Sequence, residues 1–287
     1  MAGPQDLTAR AVAAAVAVAA DHGLRTVEPV VLAGRSNVLV HLRPAPVVAR
    51  VASATALLRP DVRSWFEREI AVAGFLAGRG AAVVPPADEL PPGPHERDGL
   101  PITFWRHVQP DPDRQLAAGE AGRALRDLHE ALRDFPGDLP RLVCHLVEVP
   151  RLLAGLEGTL TPDDLARLRD VHQRLTETLL DPRRPVQALH GDAHVRNLIA
   201  TPDRLLWNDF EDTGAGPVEW DLACFCWMPP WGREAALAAY GPDAPTLEEL
   251  APWIEARELQ GTAWLAAKAR WFPESRERAE AMLARWR

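Results

Sequence analysis

Asp192, Asn197 and Asp209 sit in two short stretches, His190-Gly191-Asp192-Ala193-His194-Val195-Arg196-Asn197 and Asn208-Asp209-Phe210. The Asn follows the first Asp by five positions and the second Asp follows it by seventeen. One carboxylate can orient a hydroxyl and accept its proton. An amide oxygen and a second carboxylate can hold a hard divalent cation. Together these are the groups needed to move a phosphoryl group from ATP to an alcohol. Mg²⁺ keeps part of its hydration, so Asn197 and Asp209 suffice as metal ligands, which leaves Asp192 as the base. The apolar runs Val186 to Leu189, Asn197 to Ala200 and Arg204 to Trp207 read as strands, setting the three residues on loops at the ends of a short hairpin.

The first hundred residues must then supply a nucleotide site. Val30 to Leu32 and Val38 to Leu42 read as strands joined by Ala33-Gly34-Arg35-Ser36-Asn37, a turn whose backbone N–H groups at Gly34, Ser36 and Asn37 can lie over phosphates. The next strand, Val47 to Ala52, is apolar but for Arg50, and a lone Arg there needs an anionic partner. A helix follows over Val62 to Gly78, with Ile70, Ala73 and Phe75 to Ala77 toward the sheet and Glu67 and Glu69 as the acidic residues available to Arg50. After the Pro-rich stretch Pro85 to Pro94 comes a strand over Leu100 to Trp105. Helical patterns then cover Leu116 to Leu132, Pro162 to Leu180, Glu234 to Tyr240 and Leu247 to Trp271, and Thr161-Pro162 makes a helix start. Other phosphate folds are excluded. The sole lysine, Lys268, follows Ala267, so there is no Walker A loop, and no Gly-x-Gly-x-x-Gly occurs.

These residues resemble the aminoglycoside phosphotransferase and choline kinase family, small-molecule kinases with protein-kinase architecture. The likeness lies in His190-Gly191-Asp192, the second His at 194 and Asn197. It extends to Asp209-Phe210-Glu211-Asp212, Glu219-Trp220-Asp221-Leu222-Ala223, the run Glu69 to Leu76 with Gly80 and Val84-Pro85-Pro86, and Gly119 to His129. The resemblance implies an α+β, bilobal protein-kinase-like fold. A small β-rich nucleotide-binding lobe would occupy residues 1–105, and a larger, mostly helical catalytic and substrate lobe 106–287. It implies ATP and Mg²⁺ as cofactors, with His190, His194 and Asp221 supporting the catalytic loop. Adenine would be received at Trp105, Arg106, His107 and Val108. Arg50, paired with Glu69, would stand where the family usually carries a phosphate-binding Lys, and His129 would be a packing residue.

Arg50 is a departure, in a chain with one lysine among 32 Lys plus Arg. Arginine can clamp phosphate through its bidentate fork, though it is bulkier than lysine. This departure and the single Gly of the turn motivate a reading from another class, a nucleotide-binding regulator that transfers nothing. Intact Asp192, Asn197 and Asp209 argue against it.

At 287 residues and 47% hydrophobic composition the chain suits two lobes with sizeable cores. Residues 1–105 carry 10 acidic and 10 basic side chains and residues 106–287 carry 30 and 22, so the net charge of −8 falls in the second part. That balance disfavours nucleic acid and suits a cationic acceptor, such as an aminoglycoside-like antibiotic. A metabolic kinase of choline, amino-alcohol or sugar substrates is the alternative within the same chemistry. Trp220, Trp227, Trp231, Trp253, Trp264, Trp271 and Trp286 crowd the last third, where helix packing is the plainer role and a cation or apolar ligand the other. The Ala-rich decamer 11–20 imitates a signal segment, but Asp6 and the absence of Leu favour a helix of the first lobe. No stretch is long enough to span a membrane. Cys144, Cys224 and Cys226 make no disulfide framework, and Cys224 and Cys226 read as buried thiols in preference to metal ligands, which fits a cytoplasmic enzyme. The sequence names neither the acceptor nor the oligomeric state.

Overall fold

The computed structural model describes residues 4–34, 36–59, 61–141, 146–227 and 232–287, with the backbone alone for Pro4 to Asp6 and Ala54. Cys144 and Trp231 lie outside the described residues. In chain order the first elements are α1 (Pro4–Asp21), β1 (Glu28–Gly34), β2 (Asn37–Arg43), β3 (Val47–Ala52), α2 (Ala54–Leu58), α3 (Val62–Gly78), β4 (His95–Arg97) and β5 (Leu100–Arg106). Then come α4 (Ala118–Leu132), α5 (Val149–Ala154), α6 (Pro162–Leu179), β6 (Gln187–Leu189), β7 (Leu198–Ala200), β8 (Leu205–Trp207) and β9 (Gly214–Gly216). The chain ends with α7 (Glu219–Trp227), α8 (Arg233–Tyr240), α9 (Leu247–Ala269) and α10 (Arg276–Leu283). The fold is α+β, with a five-stranded antiparallel sheet in the N-terminal part and helices dominating the C-terminal part.

Two compact units divide the chain. The first comprises Met1–Arg114 with Ile199–Glu211, and the second Gln115–Leu198 with Asp212–Arg287. In the first, the sheet runs β1-β2-β3-β5-β4. The strand period of two sorts its residues onto faces. Val38, Val40 and Leu42 of β2 and Val47, Ala49 and Val51 of β3 join one apolar cluster with Ala11, Ala14, Ala15, Val18 and Ala19 of α1. The Ala-rich decamer is therefore a helix of the first unit, its buried residues spaced three and four apart as one helical stripe. Small side chains let α1 lie close on the sheet. Arg50, one residue out of step with Ala49 and Val51, falls on the opposite face, where Ala52 clusters with Val62 and Phe66 of α3.

Helix α3 matches the expected span, but its buried stripe differs from the expected one. It is Val62, Trp65, Phe66, Glu69, Val72, Ala73 and Leu76, while Ile70, Phe75 and Ala77 are only partly covered. Ala73 and Leu76 lie on the buried face as the sequence indicates, whereas Ile70, Phe75 and Ala77 do not, because the helical period carries the stripe through Trp65, Glu69 and Val72. Segment 199–211 joins this unit through backbone bonds. Val84 donates its N–H to the Trp207 carbonyl at 2.8 Å, Trp207 to Ala82 at 2.9 Å and Asp111 to Ala200 at 2.9 Å.

In the second unit α7, α5, α6 and α10 pack on the long helix α9, and α4 packs on α8. Thr161 caps α6 by accepting the Asp164 N–H at 3.1 Å, with Pro162 opening the helix as its sequence indicated. Thr246 and Glu249 form a capping box at the start of α9. Strand β6 pairs antiparallel with β9, from Gln187 opposite Gly216 to Leu189 opposite Gly214. This short ribbon delivers the chain to His190.

Candidate active site

In the second unit the His190-Gly191-Asp192 loop leaves β6 and is held by α7. The Asp221 carboxylate accepts the backbone N–H of His190 at 2.8 Å and of Gly191 at 2.9 Å. The Trp220 indole N–H donates to the Gly191 carbonyl at 2.8 Å, and the Cys224 thiol contacts the same oxygen at 3.8 Å. Three residues of one helix thus fix the peptide next to Asp192. Gly191 has φ +89°, and a Cβ there would stand 1.9 Å from the Asp212 carbonyl oxygen, so only glycine fits.

Asp221 is wholly buried and would be costly without partners. Burial works to raise its pKa, but the bond and charge of His129, with His190 and the Gly191 N–H, overcome it and hold the carboxyl below its ordinary value. His129 was expected to be a packing residue. It is instead a buried polar link, its Nε2 at 3.0 Å from Asp221 Oδ2 and its Nδ1 at 2.8 Å from the Tyr240 hydroxyl. A histidine on the apolar stripe of α4 looks like core until its partners in α7 and α8 are known.

Asp192 is about one quarter exposed, with a side-chain relative accessibility of 23%. Its Oδ1 accepts from Arg257 Nη2 at 2.5 Å, and its Oδ2 lies 3.5 Å from His194 Nε2. Burial lowers the pKa of His194 while Asp192 works to raise it. Asn197, in the turn before β7, donates its side-chain N–H to the Asp192 carbonyl at 2.9 Å.

The first unit places Arg50 at the centre of a buried ion cluster. Its Nη1 pairs with Glu69 Oε1, while Nη2 meets Asp209 Oδ1 at 2.6 Å and Glu211 Oε2 at 2.5 Å. Burial pushes the Glu69 carboxyl up to about 8, against the pull of Arg50 and with Asp209 and Glu211 adding to the rise. Glu67 is on the exposed side of α3 and pairs with Arg63 at 3.0 Å. Asp209 follows β8 with φ +67°, a left-handed conformation that a non-glycine residue adopts only when its surroundings enforce it. Its side chain keeps 38% exposure.

Glu211 and Arg59 were given no role by the sequence. Glu211 accepts from Arg59 Nη1 at 3.4 Å and from the Asn37 side-chain amide at 3.3 Å, and Arg59 stacks 3.6 Å over Trp65. The available signal was a charge two residues beyond Asp209, which motif spacing alone cannot distinguish from surface. The β1–β2 turn is tied to the next connection, since the Ser36 carbonyl accepts from Thr55 N at 3.1 Å and Ser53 Oγ at 2.9 Å. Gly34 has no positive φ. At the end of β5, the Trp105 indole donates to Thr103 Oγ1 at 2.8 Å, Arg106 N–H to the Pro85 carbonyl at 3.0 Å and His107 N–H to the Pro46 carbonyl at 2.7 Å. The His107 ring stacks on His41 at 3.8 Å, and burial, His41 and Arg43 lower its pKa. Val108 follows directly and is half-buried.

The candidate residues are divided between the two units, each held by its own surroundings. Asp192 and Asn197 belong to the second unit, and Arg50, Glu69 and Asp209 to the first. Solved structures share the fold. A choline/ethanolamine kinase family protein from Mesorhizobium loti superposes with a TM-score of 0.65 at 19% identity, over 98% of this chain and 93% of that one. An amicoumacin kinase in complex with AMP-PNP and Ca²⁺ gives 0.65 at 14%, over 94% and 91%. An ADP-bound aminoglycoside phosphotransferase gives 0.62 at 16%, over 94% and 95%. No curated protein matches the sequence. The model of the phosphotransferase enzyme family matches residues 27–253, and the chain belongs to that family of small-molecule kinases.

Proposed function

We propose that this enzyme transfers the γ-phosphoryl of Mg-ATP to a hydroxyl of a cationic small molecule. The observation that carries the reading is Arg50, buried and paired with both Glu69 and Asp209. A guanidinium set among carboxylates is a preformed electrostatic site: the cation can meet phosphate oxygens, and the surplus negative charge suits the divalent cation that accompanies them. Segment 1–105 takes the nucleotide role, with Arg50 and the backbone of Gly34, Ser36 and Asn37 toward phosphates and Trp105 to Val108 toward adenine. Segment 106–287 takes the acceptor.

Asn197 and Asp209 would hold the metal. An amide oxygen and a partly exposed carboxylate are hard donors of the kind Mg²⁺ takes. Bound Mg²⁺ neutralises charge on the transferred group. Asp192 orients the acceptor hydroxyl and takes its proton, with its backbone fixed by α7 through the neighbouring Gly191. Because the transition state is loose, positioning contributes more than strong basicity.

The acidic excess of residues 106–287 supports a cationic acceptor, as do the choline/ethanolamine, amicoumacin and aminoglycoside kinases that share the fold. The buried free thiols of Cys224 and Cys226 suit a reducing cytoplasm. Among the described residues no helix is long and apolar enough to cross a membrane. The test is ADP release from Mg-ATP across aminoglycosides, peptide and macrolide antibiotics, choline, amino alcohols and amino sugars, with Asp192→Ala as control. One productive acceptor whose signal disappears in the variant supports the reading. ATP binding without turnover on any acceptor would favour the non-catalytic regulator.

A further inference from the structure

Arg257 lies in the middle of α9, buried, 65 residues from Asp192 in sequence and in direct contact with it. Its Nη2 donates to Asp192 Oδ1 at 2.5 Å and its Nη1 to the Gln260 side-chain oxygen, one turn further along the same helix. The guanidinium also lies 4.8 Å from the centre of the Trp227 ring. A long, flexible side chain is thereby fixed from three sides. Gln260 is buried with it, and α7, which carries Trp227 and braces the Asp192 loop through Asp221, packs against α9.

Burying a guanidinium is expensive, and a carboxylate alone can offset the cost only with good geometry. A kinase base also gains nothing in basicity from a cation at 2.5 Å. The pair therefore makes chemical sense if orientation matters more than basicity at Asp192, as a loose transition state allows. His194 reaches the other carboxylate oxygen at 3.5 Å, and its burial favours the neutral ring, whereas the Arg257 guanidinium on Oδ1 is a permanent cation.

The geometry points to Arg257 as the positioning residue of Asp192: held by Gln260 and Trp227, it grips Oδ1 and sets the carboxylate plane so that Oδ2 faces the acceptor hydroxyl. This rests on the assignment of Asp192 as the group that meets the hydroxyl. A misplacement of the carboxylate by about 1 Å lowers kcat on the order of 100-fold while leaving both KM values within about twofold, because ground-state binding is made elsewhere.

The test is steady-state kinetics of Arg257→Met, Arg257→Lys and Gln260→Leu beside Asp192→Ala, on whichever acceptor the panel identifies, with thermal melts of each. The expected result is a fall in kcat for Arg257→Met at unchanged KM, partial recovery in Arg257→Lys, and partial rescue of Arg257→Met by added guanidinium. Gln260→Leu, which keeps the cation but loosens it, gives a smaller fall in kcat and stands in if Arg257→Met does not fold. An unchanged or raised kcat in folded Arg257→Met or in Gln260→Leu would overturn the inference, since the ion pair would then be a latch or a structural bond. A rise confined to acceptor KM would also overturn it, by making Arg257 a substrate-binding group. Turnover in Asp192→Ala equal to wild type would defeat the assignment of the base itself. Inactive Asp192→Ala with unaffected Arg257 and Gln260 variants would defeat only the positioning role.

Discussion

The Asp221 carboxylate accepts the backbone N–H of Gly191 at 2.9 Å, so a buried side chain of α7 sets the conformation of the peptide immediately before Asp192. The second oxygen takes His190 N–H and His129 Nε2. Removing the charge leaves three partners underserved. Asp221→Asn therefore costs about 3 kcal/mol of stability, as expected for breaking a buried charged network. It also lowers kcat, because the loop that presents Asp192 relaxes. Chemical denaturation paired with turnover measures both, and wild-type values in the variant would refute the brace.

The same group sets a pH dependence. Asp221 titrates below its ordinary value of 3.8 in the folded protein. The unfolded chain then binds more protons in the interval between the two values. Stability contributed by Asp221 is complete above that ordinary value and is lost as pH falls through the folded value. Wild type should lose more stability than Asp221→Asn on acidification below about pH 4, read from urea midpoints across pH. Parallel losses in the two proteins would exclude Asp221 as the source.

Gly191 tolerates no side chain, with φ +89° and the Asp212 carbonyl 1.9 Å from a Cβ position. Gly191→Ala adds a left-handed penalty of about 1–2 kcal/mol to a clash that can be relieved only by moving backbone. Activity should fall by more than stability, because the displaced segment carries Asp192. A variant with native turnover would show that this backbone can move freely.

Arg50 pairs with both Glu69 and Asp209 and shares Glu211 with Arg59. Arg50→Met would leave buried carboxylates uncompensated, at about 3–5 kcal/mol. Arg50→Lys keeps the charge but loses the fork that reaches three acceptors, so a smaller loss of stability and a raised KM for ATP are expected. Thermal melts and ATP titrations separate the two effects, and equal melting of Arg50→Met and wild type would contradict the cluster.

Helices α4 and α8 meet at Gly122, where a Cβ would stand 2.1 Å from the Ala236 carbonyl oxygen. Gly122→Ala must push the helices apart, and overpacking of this kind costs about 1–3 kcal/mol. Since α4 and α8 carry His129 and Tyr240, the link to Asp221 should loosen as well. A melting temperature at or above wild type would show that the contact yields readily.

The sequence alone determined whatever depends on neighbours along the chain. The order and spacing of Asp192, Asn197 and Asp209 identify the chemistry because these residues share one short stretch whose strand and turn pattern is local. The parity of β3 separates Arg50 from Ala49 and Val51, and Thr161 begins α6 where its side chain can reach a free N–H group. Tertiary structure alone decided which charge meets which. Arg257 is one arginine among many until α9 brings it to Asp192. Glu211 is an ordinary acidic residue until Arg50, Arg59 and Asn37 converge on it, and His129 looks apolar by position until Asp221 and Tyr240 engage it. A local pattern reports the face on which a side chain lies, whereas the energy of a buried charge depends on partners tens of residues away, which only the packed chain brings within bonding distance.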